Sequence, residues 1–228
     1  MSALSTVLFI ALTVAVYVVS RTLAKHYPSP FTTPVFFCTA IIISLLYAVG
    51  LDYQDYAPAK DVMVILLGPA TVALAVPIFK NRATLRAHAW PALAGITMGA
   101  LVTVTAVLVL SSVFHFSTEV ERSMIVKSVT APIAIELASI LNGNPALAAS
   151  FVIATGMIGT MLGPWLLTRA GIADPIARGL ALGAISHGQG TAQALTEGSL
   201  QGAIAGIAMG ISAIVTACVL PLVLNAVP

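Results

Sequence analysis

Between Lys127 and Glu136 the chain reads KSVTAPIAIE, which places a cation, two hydroxyls, a proline and a carboxylate inside sequence otherwise suited to lipid. Only 8% of its residues are charged, the formal net charge is +2, and the mean hydropathy is +1.02. An ionisable side chain at membrane depth costs about 2.5–3.5 kcal/mol on insertion scales, so its presence points by default to a functional cavity. Pro132 has no backbone N–H and disfavours helical geometry at Ala131, so the segment 123 to 141 is expected to break there and restart with Pro132 in its first turn. The amides of a new helix start carry positive partial charge and suit an anion, above all a carboxylate. Lys127, Ser128 and Thr130 lie just ahead of that start and make a carboxylate cradle with it. Glu136 would lie about 180° from Lys127 on an unbroken helix, so it is either a proton-coupling group or a partner for another element. The rival reading has Lys127 snorkelling to the interface near Arg122, with Glu136 an interfacial carboxylate.

A second polar stretch runs from Gly183 to Gln193 and contains Ser186, His187, Gly188, Gln189, Gly190 and Thr191. Non-helical backbone at membrane depth persists only where protein or a wet cavity satisfies it, so these residues are expected to face the same site as Lys127. His187 can bind a carboxylate or relay a proton. The alternative is a surface turn with a solvated histidine. Soluble-enzyme chemistry fails on spacing: Gly188-Gln189-Gly190 is followed by Gln193 where a dinucleotide fingerprint needs Gly or Ala. Ser186 is not flanked by the glycines of a nucleophile elbow. His26, His88 and His115 fall at segment ends and form no metal-ligand pair, and Cys38 and Cys218 read as packing residues. No enzymatic activity, cofactor, metal or nucleic-acid partner is expected; a coupling ion, H+ or Na+, is.

The elements that must position these groups are membrane helices. Stretches free of Asp, Glu, Lys and Arg cover 2 to 20, 26 to 51, 62 to 79, 87 to 118, 137 to 168, 179 to 196 and 198 to 228. About 20 apolar residues cross a ~30 Å hydrocarbon core. The expectation is therefore a single all-α polytopic domain over 1–228 with seven or eight membrane segments, in a cell membrane and most simply a bacterial inner membrane. The first segment lacks a basic n-region and reads as a retained span. Positive loops at 21 to 30 and 80 to 88 belong in the cytoplasm, and the acidic ones at 51 to 61 and 113 to 122 belong outside.

Residues 92 to 106, ALAGITMGALVTVTA, align without gaps to 203 to 217, AIAGIAMGISAIVTA, with nine identities. Leu67-Gly68-Pro69 recurs as Leu162-Gly163-Pro164, and both Gly-Pro pairs are expected to break or kink their helices, with Thr71 and Thr160 satisfying the freed backbone. This implies an opening helix and loop (1–30) and two units, 31–112 and 129–225, of inverted topology as in secondary transporters. For the inversion to hold, 179 to 197 must enter and leave on one face as a re-entrant or twice-crossing hairpin. One feature resists: the loop at 169 to 178 would then lie outside while carrying Arg169 and Arg178 against Asp174 alone. Gly95, Gly99, Gly202, Gly206 and Gly210 recur every fourth residue and suit close helix contact, within the fold or across a homodimer.

LGPATVALAVPIFK, KSVTAPIAIE, GTMLGP, DPIARGLALGAISHGQGTAQA and AIAGIAMG together resemble the LrgB/CidB membrane family from about residue 30 onward. That family includes antiholin-like modulators of murein hydrolase export and cell lysis, the LrgB-like half of a plastidial glycolate/glycerate translocator, and members implicated in pyruvate uptake. The resemblance implies two functions. One is secondary transport of small carboxylates of the glycolate, glycerate, lactate or pyruvate class. The other is antiholin-like regulation through a holin-like partner, with a small LrgA/CidA-like membrane protein as that partner. Many members carry Thr where Ala131 stands and a small or apolar residue where Gln189 stands, which bears on substrate preference.

Overall fold

The computed structural model describes residues 3–27, 29–73 and 75–226, and among them the only regular elements are helices. The outermost residues of the expected spans 2 to 20 and 198 to 228 lie outside the described residues. The helices are α1 (Ala3–His26), α2 (Pro34–Val49), α3 (Tyr53–Ile65), α4 (Leu67–Ala73), α5 (Ala75–Lys80), α6 (Arg82–Ala87), α7 (Ala89–Phe114), α8 (Thr118–Met124), α9 (Ala131–Ile140), α10 (Pro145–Arg169), α11 (Pro175–Glu197) and α12 (Ser199–Ala226). Five stretches are long and apolar enough to cross a membrane: Leu4–His26, Tyr53–Lys80, Ala89–Phe114, Pro145–Arg169 and Ser199–Leu220. Their outward faces carry exposed Val, Leu, Ile and Phe, as a lipid solvent requires.

The chain forms two compact units, 1–75 and 76–228. In the first, α1 packs on α2 and α3, with Phe9 edge-on to Tyr56 and the Thr13 hydroxyl 3.0 Å from the Tyr56 hydroxyl. Gly68-Pro69 does what the sequence predicts. The helix stops at Leu66 and restarts with Pro69 in the first turn of α4, where its missing N–H falls ahead of the first ladder bond from Ala70 to Leu66. Cys38 is half-buried against Thr13, whereas Cys218 is exposed and does not pack as expected.

The second unit is organised around α10, which Asn144 caps by accepting from the amides of Ala146 and Leu147 (3.0 and 3.2 Å) with Pro145 at the first position. Gly163-Pro164 does not break it, which corrects the sequence reading. Thr160 donates to the carbonyls of Gly156 and Met157, not to a group freed by Pro164.

The chain reverses twice beside α10. The backbone N–H of Asn144 donates to Ser123 Oγ at 2.7 Å, and Asn144 Nδ2 donates to Glu119 Oε1 at 2.9 Å. The segment 124 to 142 therefore leaves the N-terminal end of α10 and returns to it, and α9, at 10 residues or about 15 Å, covers half a hydrocarbon core. The break expected within 123 to 141 is present, and it lies in an excursion that returns to the side it leaves. The other reversal is in α11. Arg178 Nε donates to Glu197 Oε2 at 2.7 Å and Nη2 to Oε1 at 2.9 Å, although the residues are 19 apart, about 28 Å along a straight helix. The helical geometry fails at His187 (φ 42°, ψ −127°), where two short helices meet. The hairpin expected over 179 to 197 is thus the observed path. Arg178 also reaches the carbonyls of Ile172 (2.9 Å) and Pro164 (3.3 Å), which ties the hairpin base to the C-terminal end of α10.

The repeated helices α7 and α12 pack together, with Ile96 grouped with Ala208, and Val104 and Val107 with Ala213 and Leu220. That order makes them run in the same direction, so these two copies are not related by inversion. Gly99 and Gly210 meet no neighbour within 4 Å, and the tight backbone approach occurs instead at Gly183, whose Cα faces Ala205.

Glu197→Gln leaves a mostly buried guanidinium without its carboxylate, a change that typically costs about 3–5 kcal/mol. Thermal unfolding of purified protein should show a lower midpoint for Glu197→Gln than for wild type. In the Arg178→Gln/Glu197→Gln double variant the loss should be smaller than the two single losses added together.

Candidate functional site

The two reversals approach α10 from its opposite ends and converge at Val152. The Val152 side chain packs in one cluster with Val126, Val129 and Ala134, which flank and follow the turn carrying Lys127. The Val152 carbonyl accepts a hydrogen bond from His187 Nε2 at 3.0 Å. A carbonyl can only accept, so Nε2 carries the proton and a neutral imidazole presents Nδ1 as a bare acceptor.

The turn at 125 to 130 links α8 to α9 as the sequence predicts, with Pro132 in the first turn of α9. Val126 and Val129 are fully buried and anchor it; between them Ser128 is buried and Lys127 partly so. Lys127 Nζ donates to Ser128 Oγ at 3.3 Å, and among the described residues no carboxylate pairs with it. Thr130 occupies the N-cap but its hydroxyl makes no capping bond. The first ladder bond of α9 runs from Ala134 N–H to Thr130 O, so the amides of Ala131 and Ile133 have no helical acceptor. Glu136 lies apart from this group. It sits on the exposed face of α9 and pairs with no cation among the described residues.

At the other tip Ser186, His187, Gly190 and Thr191 are buried, Gln189 is partly buried, and Gly188 is exposed. Thr191 Oγ1 donates to the His187 carbonyl at 2.9 Å and stiffens the start of the second leg. Gly190 lets that leg lie against the Leu182 carbonyl of the first. Ser186 Oγ and Gln189 Oε1 are buried without a partner among the described residues.

A row of α10 glycines, not expected from the sequence, receives this tip. A Cβ on Gly156 would stand 2.7 Å from His187 Cε1 and 2.8 Å from Gln189 Oε1, a Cβ on Gly159 would strike Ser186 Oγ, and one on Gly163 would stand 2.8 Å from Leu182 Cδ2. Positions 156, 159 and 163 share one helix face, and that spacing was the signal available. His187 Cε1 and Gln189 Oε1 are therefore no more than about 5.5 Å apart. The arrangement collects unpaired hydrogen-bonding groups at the hairpin tip, against α10 at Val152 and Gly156, and a lysine and free amides at the turn that opens α9.

With this geometry in hand, comparison with known proteins places the chain. Residues 13–226 match the LrgB-like family, and the protein belongs to that family. It is 35% identical to the uncharacterized protein YxaC of Bacillus subtilis over 194 residues, 85% of this chain and 84% of that one. It is 32% identical to the holin-like protein CidB of Staphylococcus aureus over 188 residues, 82% of each chain. No solved structure matches it.

His187 holds a backbone conformation that suits glycine, and such strain costs about 1–3 kcal/mol. His187→Gly and His187→Ala both lose the bond to Val152, but only the glycine relieves the strain. In thermal unfolding, His187→Gly should be the more stable of the two by about 1 kcal/mol.

Proposed function

We propose that this LrgB-family protein is a secondary transporter of small carboxylates, with the binding site between the turn at 125–130 and the hairpin tip at 186–191. The observation that carries the reading is that two segments, each returning to the end of α10 it leaves, both pack on α10 and both engage Val152, one through the shared apolar cluster and the other through the His187 bond. Interrupted helices whose ends meet at mid-depth are the usual way a bilayer-embedded protein offers polar groups to a solute. Lys127 and the free amides of Ala131 and Ile133 neutralise the carboxylate, while Ser128, Thr130, Gln189 and Thr191 offer polar contacts to its oxygens; Ser186, whose Oγ abuts Gly159, lies outside this set. His187 Nδ1 is the atom poised to take up a coupled proton. Glu136 serves this site only if α9 rotates or a second copy faces it.

Counting crossings supports the same picture. With 124–142 and 175–197 returning to the sides they leave, the loop at 169–178 comes to lie with 21–30 and 80–88 on the cytoplasmic side, where its arginines belong. The membrane-spanning count becomes six crossings, including the 16-residue α2, plus two re-entrant segments.

A second reading has its own basis. CidB of Staphylococcus aureus is called holin-like, and that name favours an antiholin-like regulator of murein hydrolase export and cell lysis that works through a small LrgA/CidA-like or holin-like membrane partner. Gly99 and Gly210, open on the surface, are where a partner helix or a second copy would approach.

Uptake of labelled glycolate and pyruvate into proteoliposomes separates the two. Transport at this site predicts that Lys127→Ala reduces uptake at least tenfold, about the worth of one charge-assisted contact, while Gly210→Leu leaves it unchanged. Absence of uptake by the wild type, together with loss of partner co-purification in Gly210→Leu but not in Lys127→Ala, would establish the regulator instead.

A further inference from the structure

On the outer side of the same helix pair, α10 and the first leg of α11 enclose an apolar groove of about 250 Å³, walled by Ile158, Leu162, Leu166, Ala181, Leu182 and Ile185 and closed at its deep end by Gly159 and Ser186. At 100° per residue, Ile158, Leu162, Trp165 and Arg169 fall on one stripe of α10 within an arc of about 60°. The stripe is apolar for three positions and ends in a guanidinium, which stands 5.2 Å over the Trp165 ring. From Ile158 to Arg169 the helix rises about 16 Å, the hydrocarbon depth of one leaflet. Arg169 is in no ion pair among the described residues, unlike Arg178 nearby, which Glu197 engages.

We infer that this groove is a binding site for an anionic phospholipid. The phosphate lies on Arg169 at the level of Trp165, and one acyl chain runs down the groove towards Gly159. Charge selects the occupant: an unpaired cation one turn of α10 beyond Leu166, at the end of an apolar trough that it does not itself line, matches a lipid with an acidic head. A second copy of this chain would present no anion to Arg169 from its own α10 stripe, which carries the same cation. The side on which crossing counts place Arg169 is also the leaflet rich in anionic lipid. This inference holds whether or not the chain transports a substrate.

The test is native mass spectrometry of the full chain, purified in detergent and equilibrated with either phosphatidylglycerol or phosphatidylcholine. The wild type is expected to retain phosphatidylglycerol preferentially. Arg169→Gln should reduce that retention about fivefold, the size of one basic residue's attraction to an anionic surface, and leave phosphatidylcholine unchanged. Arg86→Gln, an exposed cation away from the groove, should change neither. Leu162→Trp, which fills the trough, should lower retention of both lipids. Should that variant not fold, a phosphatidylglycerol with a photoreactive acyl chain supplies the same information on the wild type, and its crosslinks should fall on 158–166 and 181–185. Equal retention by wild type and Arg169→Gln, crosslinks elsewhere, or an Ile158→Cys disulfide dimer in membranes would overturn the assignment; the last would show a second copy covering the groove.

Discussion

A chain that turns round in the middle of a bilayer needs a protein surface that satisfies its backbone, because hydrocarbon offers no hydrogen bonds. Here α10 is that surface. Its glycines at 156, 159 and 163 remove the side chains that would otherwise hold the α11 hairpin away, and its Val152 carbonyl, one turn earlier, accepts the hydrogen bond that His187 Nε2 donates. The second unit depends on this contact. Without the bare strip of α10 the hairpin tip could not reach mid-depth, and the buried groups at 186 to 191 would have no place in the fold.

The bases of the two excursions are built differently from their tips. At one base Asn144, Ser123 and Glu119 interlock through backbone and side chain, and Gly143 allows the backbone of Arg122 and Ser123 to come close. At the other, a guanidinium binds both oxygens of Glu197 and two carbonyls. The pairings of these segments that involve carboxylates sit at the bases. The tips are left with a lysine bonded only to the neighbouring serine, an N-cap threonine that does not cap, and two buried oxygens without partners. Buried polar groups are normally satisfied, and under the proposed transport Lys127, Thr130 and Gln189 are the groups among these that would bond the solute.

Much of this was legible in the residues. Pro132 and Gly68-Pro69 announced helix starts because a missing N–H can only be placed there, and the polar, glycine-rich run at 183 to 193 could not be a plain apolar span. What the sequence left hidden was long-range. The bond between Asn144 and Ser123 makes 124 to 142 an excursion, and neither residue carries a signal of its partner. That one reversal changes the parity of everything after it and removes the conflict posed by Arg169 and Arg178. Gly163-Pro164 shows the converse: the same dipeptide that interrupts one helix is carried within α10, because a long helix packed on α9 and α11 holds its course through one lost bond. Glu136 was grouped with Lys127 on chemistry alone, and the exposed face of α9 separates it from that group.

The electrostatics of the meeting point follow from which helix ends lie there. The start of α9 falls beside the turn carrying Lys127 and adds its positive end there, whereas at the hairpin tip the C-terminal end of the first leg of α11 meets the N-terminal end of the second, so their partial charges largely offset. The far end of the second leg lies at the base, where Glu197 faces Arg178. Among the described residues the tips themselves contain no Asp or Glu to cancel that field. Under the proposed transport, the positive end formed by Lys127 and the start of α9 would favour a small anion over metal cations and protonated amines, and His187 Nδ1, the free acceptor of a ring held in place by Val152, would be the atom that faces a coupled proton.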